Sequence, residues 1–225
     1  MNAMPPWELV TDETVRRWSV PDQAAKQDRS RRRQQEILDA AVSVFARDGI
    51  ARARIADVAA QAGVPLSSVY DYYASKEDLA YGLPATRMGL FYAEFLDRAR
   101  LVDTAKERLR LYLWLTADFA RRNPEWARIL YLEIWPSIAV KDVTVQRSID
   151  DFARILIALI RDGRAAGEWT SSDDPYQTAA ILIGSVNQVL ITWLLYGRPR
   201  DLMAAVSSLI ERLLPLLGPP EMGAG

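Results

Sequence analysis

Two short apolar helices meeting at a glycine, set against a longer striped helix, restrict what this chain can fold into more than any other feature. Ile37, Ala40, Ala41, Val44 and Phe45 fall at i, i+3, i+4, i+7 and i+8, which puts one apolar stripe on a helix that should stop at Gly49. Ile55, Val58, Ala59 and Ala62 repeat the pattern on a second helix, which Gly63 breaks. Pro65 is acceptable in the first turn of a third, where Val69 and Tyr73 lie four apart. Such an arrangement describes a helix-turn-helix, whose second helix enters the major groove of DNA. Geometry of this kind does not establish DNA binding, because many small helical cores contain the same turn.

Apolar residues recur at three- and four-residue spacing through the rest of the chain and strand signals are scarce, so the expected fold class is all-α. Ser75 followed by Asp78 is a capping-box-like start for a fourth helix, in which Gly82 and Pro84 mark a kink or break. Further helices are expected near 85–101, 104–122, 124–135, 141–165, 175–196 and 200–217. Asn123-Pro124 and Asp174-Pro175 each read as an N-cap residue followed by proline at the first helical position, and Gly197 and Gly218 stand where helices end. The organisation expected is an N-terminal extension at 1–28, a three-helix helix-turn-helix DNA-binding domain at 29–80, a larger helical effector-binding and dimerisation domain at 81–218 and a tail at 219–225. Residues 1–28 carry Trp7, Leu9, Val10, Val15, Trp18 and Val20 among charges, and read either as a short helix lying on the body or as a disordered segment.

Composition narrows the chemistry. The chain has no cysteine and no histidine, which excludes disulfides, thiolate nucleophiles, nitrogen- or sulfur-ligated zinc and imidazole acid/base catalysis. No catalytic residue, metal site or cofactor is expected. A net charge of -1 offers no global attraction to nucleic acid, so binding would depend on a local patch. Arg29, Arg31, Arg32 and Arg33 form the one basic run, at a border that reads as a linker becoming a helix. An arginine arm placed there can follow the phosphate backbone or enter the minor groove, and the plain alternative is a solvated helix start. The first thirty residues lack the pattern of a secretory signal. Ile181 to Tyr196, an uncharged apolar stretch, is shorter than a bilayer-spanning helix and contains Ser185, Asn187 and Gln188, so it reads as a buried helix. A cytoplasmic protein with no membrane partner is expected.

The run from Ile55 to Leu79 closely resembles the DNA-binding segment of TetR-family transcriptional regulators. An apolar helix ends in Ala62-Gly63-Val64, a reading helix ends in Tyr70-Asp71-Tyr72-Tyr73, and Ser75-Lys76-Glu77-Asp78-Leu79 opens the next helix. The resemblance extends upstream to Ile37. It departs from the family at Ala53 and Arg54, where a capping Thr or Ser is usual, at Pro65, where Ser is common, and at Leu66, where a basic residue is common. Those departures put the phosphate contacts of the missing hydroxyls in doubt, and Arg54 is a charged donor that could replace one. The resemblance implies a double-stranded DNA operator as partner and Arg31, Arg54, Pro65, Leu66, Ser67, Ser68, Tyr70, Tyr72 and Lys76 as its contacts. Ser67 and Ser68 are small enough to approach bases, Leu66 suits a thymine methyl, and Tyr70, Tyr72 and Lys76 suit phosphates. Core packing is the alternative for Tyr70 and a reading at least as good for Tyr73.

Family habit also implies a homodimer formed through the last two helices. Ala180, Gly184, Asn187, Ile191 and Leu195 share one face of the 175–196 helix, opposite Leu182, Val186, Val189 and Trp193, and small residues there would let a partner approach. Effector-cavity candidates are Tyr112, Thr116, Phe119, Trp126, Tyr131, Trp135, Phe152 and Trp193, suited to a small hydrophobic effector. A diffuse likeness to the fatty-acid-responsive branch points to a fatty acid or acyl-CoA, with a charged head near Arg121, Arg122 or Arg128. The expected activity is ligand-responsive repression of a near-palindromic operator, the effector swinging the fourth helix to release DNA. Two other classes stay open: an interaction module that has lost DNA binding, and an all-α enzyme using Asp, Glu, Lys, Tyr or Ser.

Overall fold

The structure, a computed structural model, describes residues 4–18, 26–137 and 143–219, with the side chains of 26–29, 31, 85, 86 and 144 also outside the description. In chain order the helices are α1 (Pro6–Trp18), α2 (Lys26–Asp48), α3 (Ile55–Ala62), α4 (Leu66–Tyr70), α5 (Lys76–Ala99), α6 (Ala105–Arg122), α7 (Pro124–Arg128), α8 (Val143–Ala165), α9 (Pro175–Tyr196) and α10 (Leu202–Leu213). A π-helical turn at Ile129–Ile134 continues α7, and a 3-10 turn at Leu214–Leu217 follows α10. No strand occurs among the described residues. The chain divides into two compact units, Trp18–Met88 with Asn123–Ser148, and Met1–Arg17 with Gly89–Arg122 and Ile149–Gly225.

In the unit holding residues 18–88 and 123–148, α2 packs on α3, on α7 and on the π turn, and α3 packs on α4. The stripe read from the sequence is the buried face: Ile37, Ala41, Val44 and Phe45 on α2, Val58 and Ala59 on α3, and Val69 on α4 are closed off from solvent. Gly63 ends α3 with φ +66, the left-handed region that costs least at glycine, and Val64 N–H reaches back to Ala59 O at 3.0 Å. Ser75 and Asp78 form the reciprocal cap expected of them, Ser75 Oγ accepting from Asp78 N–H and Asp78 from Ala74 N–H, each at 3.0 Å.

Two local expectations are corrected. Pro84 lies inside one continuous α5 rather than between two helices. An internal proline costs about 3 kcal/mol, but the stripe Leu79, Leu83, Met88, Phe91 and Phe95 is buried along the whole helix and holds it together. The arginines at 29–33 likewise stand on α2, which begins at Lys26, and not in a linker.

The other unit packs α6 against α9 and α10, and α9 against α10. Of the two states open for the N-terminal segment, residues 6–18 take the helical one, and α1 lies on this unit. Trp7 is 2% exposed, edge-on to Phe95 and under the Arg108 guanidinium. Glu8 pairs with Arg100 at 2.6 Å and Arg17 with the buried Asp151 at 2.5 Å. Residues 1–3 and 19–25 of the extension, and 220–225 of the tail, lie outside the described residues. Asp174 caps α9 as read, accepting from Tyr176 N–H at 3.1 Å.

α9 itself departs from its reading. At 22 residues it is long and apolar enough to cross a membrane by length and composition, and only 33% of its most apolar window is buried. Thr178, Ala179, Leu182, Val186, Leu190 and Leu194 face the core, whereas Ile181, Leu195 and Tyr196 stand exposed. The helix is half core and half bare apolar surface.

Candidate functional site

α4 presents its outer side because Val69 and, just beyond the helix, Tyr73 anchor its inner side. Pro65 sits at its N-cap with φ -58 and ψ 146, the extended conformation that proline favours, and makes no side-chain cap. Leu66 and Tyr70 are 43% and 52% exposed, Ser67 is exposed and Ser68 is half-buried. Tyr70 is therefore not a core residue. Tyr73 is: burial pushes its phenol above the ordinary value, and its oxygen accepts from Gln34 Nε2 at 3.3 Å.

Tyr72 is half-buried with its hydroxyl 2.9 Å from Ser30 Oγ, so the N-terminal part of α2 orients it. Lys76 Nζ donates to Ala51 O at 2.8 Å and Ala53 O at 3.2 Å, bracing the turn between α2 and α3. Arg54 is the N-cap residue of α3 but gives no side-chain cap. Its side chain is 77% exposed and forks onto Asp57 at 2.8 and 3.0 Å, which holds the Asp57 carboxyl below its ordinary range and raises the guanidinium. A phosphate at Arg54 would share it with Asp57. The side chain of Arg31 lies outside the described residues, and Arg32 and Arg33 are exposed.

Sequence reasoning missed Ser30, Gln34 and Asp57 here. Asp57 was readable as a helical i,i+3 partner of Arg54, whereas the two α2 contacts link residues about forty positions apart in the chain and leave no local pattern.

The effector candidates divide between the two units. Tyr112, Thr116, Phe119 and Phe152 gather around Phe91, whose ring lies 5.4 to 5.7 Å from Tyr112, Phe119 and Phe152. Tyr112 Oη donates to Phe152 O at 2.9 Å and Thr116 Oγ1 to Tyr112 O at 2.8 Å, so the polar atoms of this cluster are engaged. Phe91 and Phe95 were not among the residues singled out from the sequence. Trp193 is half-buried on α9. In the other unit Trp126 donates Nε1 to Leu83 O at 3.3 Å, and the fully buried Tyr131, its phenol raised by desolvation, stacks on Trp135 at 6.2 Å. Arg121 and Arg122 both pair with the buried Asp118, and Arg122 also with Glu94. Arg128 is exposed. Among the described residues no cluster could hold a metal ion.

On α9, Ala180, Gly184 and Leu195 are exposed and Asn187 and Ile191 half-buried. Asn187 Oδ1 is itself buried and has no hydrogen-bond partner among the described residues.

A short helix held outward by an αL glycine turn and braced on a longer helix has the geometry of a helix-turn-helix. Residues 37–81 match the family described as bacterial regulatory proteins, tetR family. This stretch is a TetR-family DNA-binding domain, and the chain that carries it is a transcriptional regulator. The fatty acid metabolism regulator protein of Bacillus subtilis is 26% identical over 179 residues, covering 80% of this chain and 92% of that protein. The HTH-type transcriptional repressor SCO4008 of Streptomyces coelicolor is 27% identical, covering 69% and 77%. The solved structure of FadR from Bacillus subtilis in complex with stearoyl-CoA matches with TM-score 0.75 at 25% identity, over 80% of this chain and 97% of that one.

Proposed function

We propose that the chain acts in the cytoplasm as a homodimeric repressor of a near-palindromic operator, and that a long-chain acyl-CoA releases it. Regulation, without catalysis, is its activity in this reading. The observation that carries the effector class is the similarity to stearoyl-CoA-bound FadR along four fifths of this chain. Residues 29–80 read DNA, and 81–218 bind effector and partner.

On DNA, Leu66, Ser67 and Ser68 approach base edges from the start of α4, Pro65 sets the angle of entry, and Tyr70, Tyr72, Lys76, Arg54 and Arg31 contact phosphates. In the dimer, the bare face of α9 meets its copy through Ala180, Gly184, Asn187, Ile191 and Leu195. Support comes from Ile181, Leu195 and Tyr196, large apolar side chains that stand exposed on this helix. Two copies also provide two reading heads for half-sites about 34–36 Å apart.

The effector candidates are apolar bodies with few polar handles, and each unit offers its own set: Tyr112, Thr116, Phe119, Phe152 and Trp193 in one, Trp126, Tyr131 and Trp135 in the other. Binding shifts a two-state equilibrium toward the arrangement that cannot hold the operator. Selection of genomic fragments on the purified protein, followed by footprinting, tests the reading. Two protected half-sites related by a dyad are expected, and a protein that retains no fragment at low salt would overturn it.

A further inference from the structure

Asn123 is at the N-cap of α7, ahead of Pro124, yet its side chain does not cap the helix. Its Oδ1 instead accepts from Arg87 Nη1 on α5 at 2.9 Å, and the other arm of the same guanidinium lies 3.6 Å from Asp39 on α2. One side chain thus ties three helices. The same stretch bonds α2 once more and closely approaches its end. Ser43 Oγ donates to Glu125 Oε2 at 3.1 Å, and the Glu133 carboxylate lies so near Gly49, just past α2, that an added Cβ would stand 3.3 Å from Oε1.

Between these grips lies the π turn Ile129–Ile134, closed by Trp135 N–H to Leu130 O at 2.9 Å. π turns are uncommon and concentrate at functional positions, and this one carries Tyr131 stacked on Trp135. At its far end α2 meets the reading head, Ser30 at Tyr72 and Gln34 at Tyr73. A single rigid helix is therefore gripped over residues 39–49 by the segment that bears two effector candidates, and over residues 30–34 it orients the residues that follow α4.

We infer that Arg87 is the pin through which segment 123–134 sets α2, and through α2 the position of Tyr72. It is a positioning residue for the effector response, and the inference rests on the acyl-CoA reading proposed above. Arginine suits the place because its planar fork presents separate N–H arms to Asn123 and Asp39. Contiguous contact is only a precondition for coupling, so coupling is the quantity to measure.

The experiment compares wild type, Arg87→Ala and Arg87→Lys for operator affinity with and without stearoyl-CoA, with tryptophan fluorescence reporting stearoyl-CoA binding directly. Effector coupling is commonly about 5–150-fold. Arg87→Ala is expected to bind operator and stearoyl-CoA within about threefold of wild type while its coupling factor collapses toward one, with Arg87→Lys between them. A wild-type coupling factor in Arg87→Ala overturns the inference. If stearoyl-CoA does not move wild type at all, the acyl-CoA reading fails, and a ligand-free cycle still decides on the pin. Tyr72→Phe should then cost operator affinity by a factor that differs at least about twofold between the wild-type and Arg87→Ala backgrounds, since unconnected sites add. Additivity in that cycle overturns the inference as well.

Discussion

Replacing Trp7 by alanine should release α1 from its unit without unfolding the rest. The ring is 2% exposed, lies 6.3 Å from Phe95 and has the Arg108 guanidinium 4.8 Å above it. Truncating a buried tryptophan to alanine costs about 3–5 kcal/mol. The indole also carries a liability, because Nε1 is buried with no hydrogen-bond partner among the described residues, an omission worth about 1–3 kcal/mol against the native state. Trp7→Phe removes that donor together with part of the apolar area, so the two changes offset and the net effect should stay within about 1 kcal/mol. Hydrogen exchange by mass spectrometry on α1 reads the difference, since its amides exchange by detachment of the helix. In Trp7→Ala, exchange over residues 8–18 should accelerate by about two to three orders of magnitude, while α6 and α9 change little. Trp7→Phe should stay within about tenfold of wild type. Unchanged α1 protection in Trp7→Ala would refute the claim that this side chain fastens the helix.

Lys76→Ala should weaken operator and mismatched DNA alike and reduce the slope of log affinity against log salt by about one ion per subunit, and Tyr72→Phe should weaken both DNAs with the slope kept. A changed base preference in quantitative mobility shifts would contradict the phosphate assignment. A Cβ added at Gly184 meets no neighbouring atom within 4 Å among the described residues, so the Gly184→Leu subunit should fold while sedimentation shifts from twice 25.4 kDa toward 25.4 kDa; an unchanged dimer would contradict the proposed seam. Burial raises the Asp162 carboxyl above its ordinary value of 3.8, against smaller lowering effects from Trp7 N–H and Arg108. The native state then holds this proton more tightly than the unfolded chain, so the group's unfavourable contribution is absent below pH 3.8 and grows as pH rises through the raised value. Asp162→Asn should therefore raise stability at neutral pH and leave it unchanged below the lower limit, as read by denaturant melts at both.

What the sequence made legible is what repeats locally. The α2 stripe, the Gly63 turn, the Ser75 and Asp78 cap and the Asp174 cap each depend on residues within a few positions of one another, and each is found in the structure. The failures share the opposite cause. Pro84 looks like a helix breaker until the distant surfaces that bury Leu79, Leu83 and Phe91 are in place. Asn123 stands at the N-cap ahead of Pro124 as read, but which group its side chain would bond was not legible, because Arg87 is thirty-six positions away. The bare side of α9 could not be told from a buried one, because an apolar residue is apolar whether a core or a second subunit covers it. The candidate site was legible in its α4 residues, whose pattern is short, and not in the α2 residues that orient them.

The central claim is that an acyl-CoA and the operator compete through one protein. It is tested most directly by titrating stearoyl-CoA into the protein–operator complex while operator occupancy and tryptophan emission are recorded from the same sample. Occupancy should fall as emission reports binding, both with one midpoint, and a short-chain acyl-CoA should do neither at that concentration. Release by a small polar metabolite, with stearoyl-CoA neither bound nor active, would contradict the account.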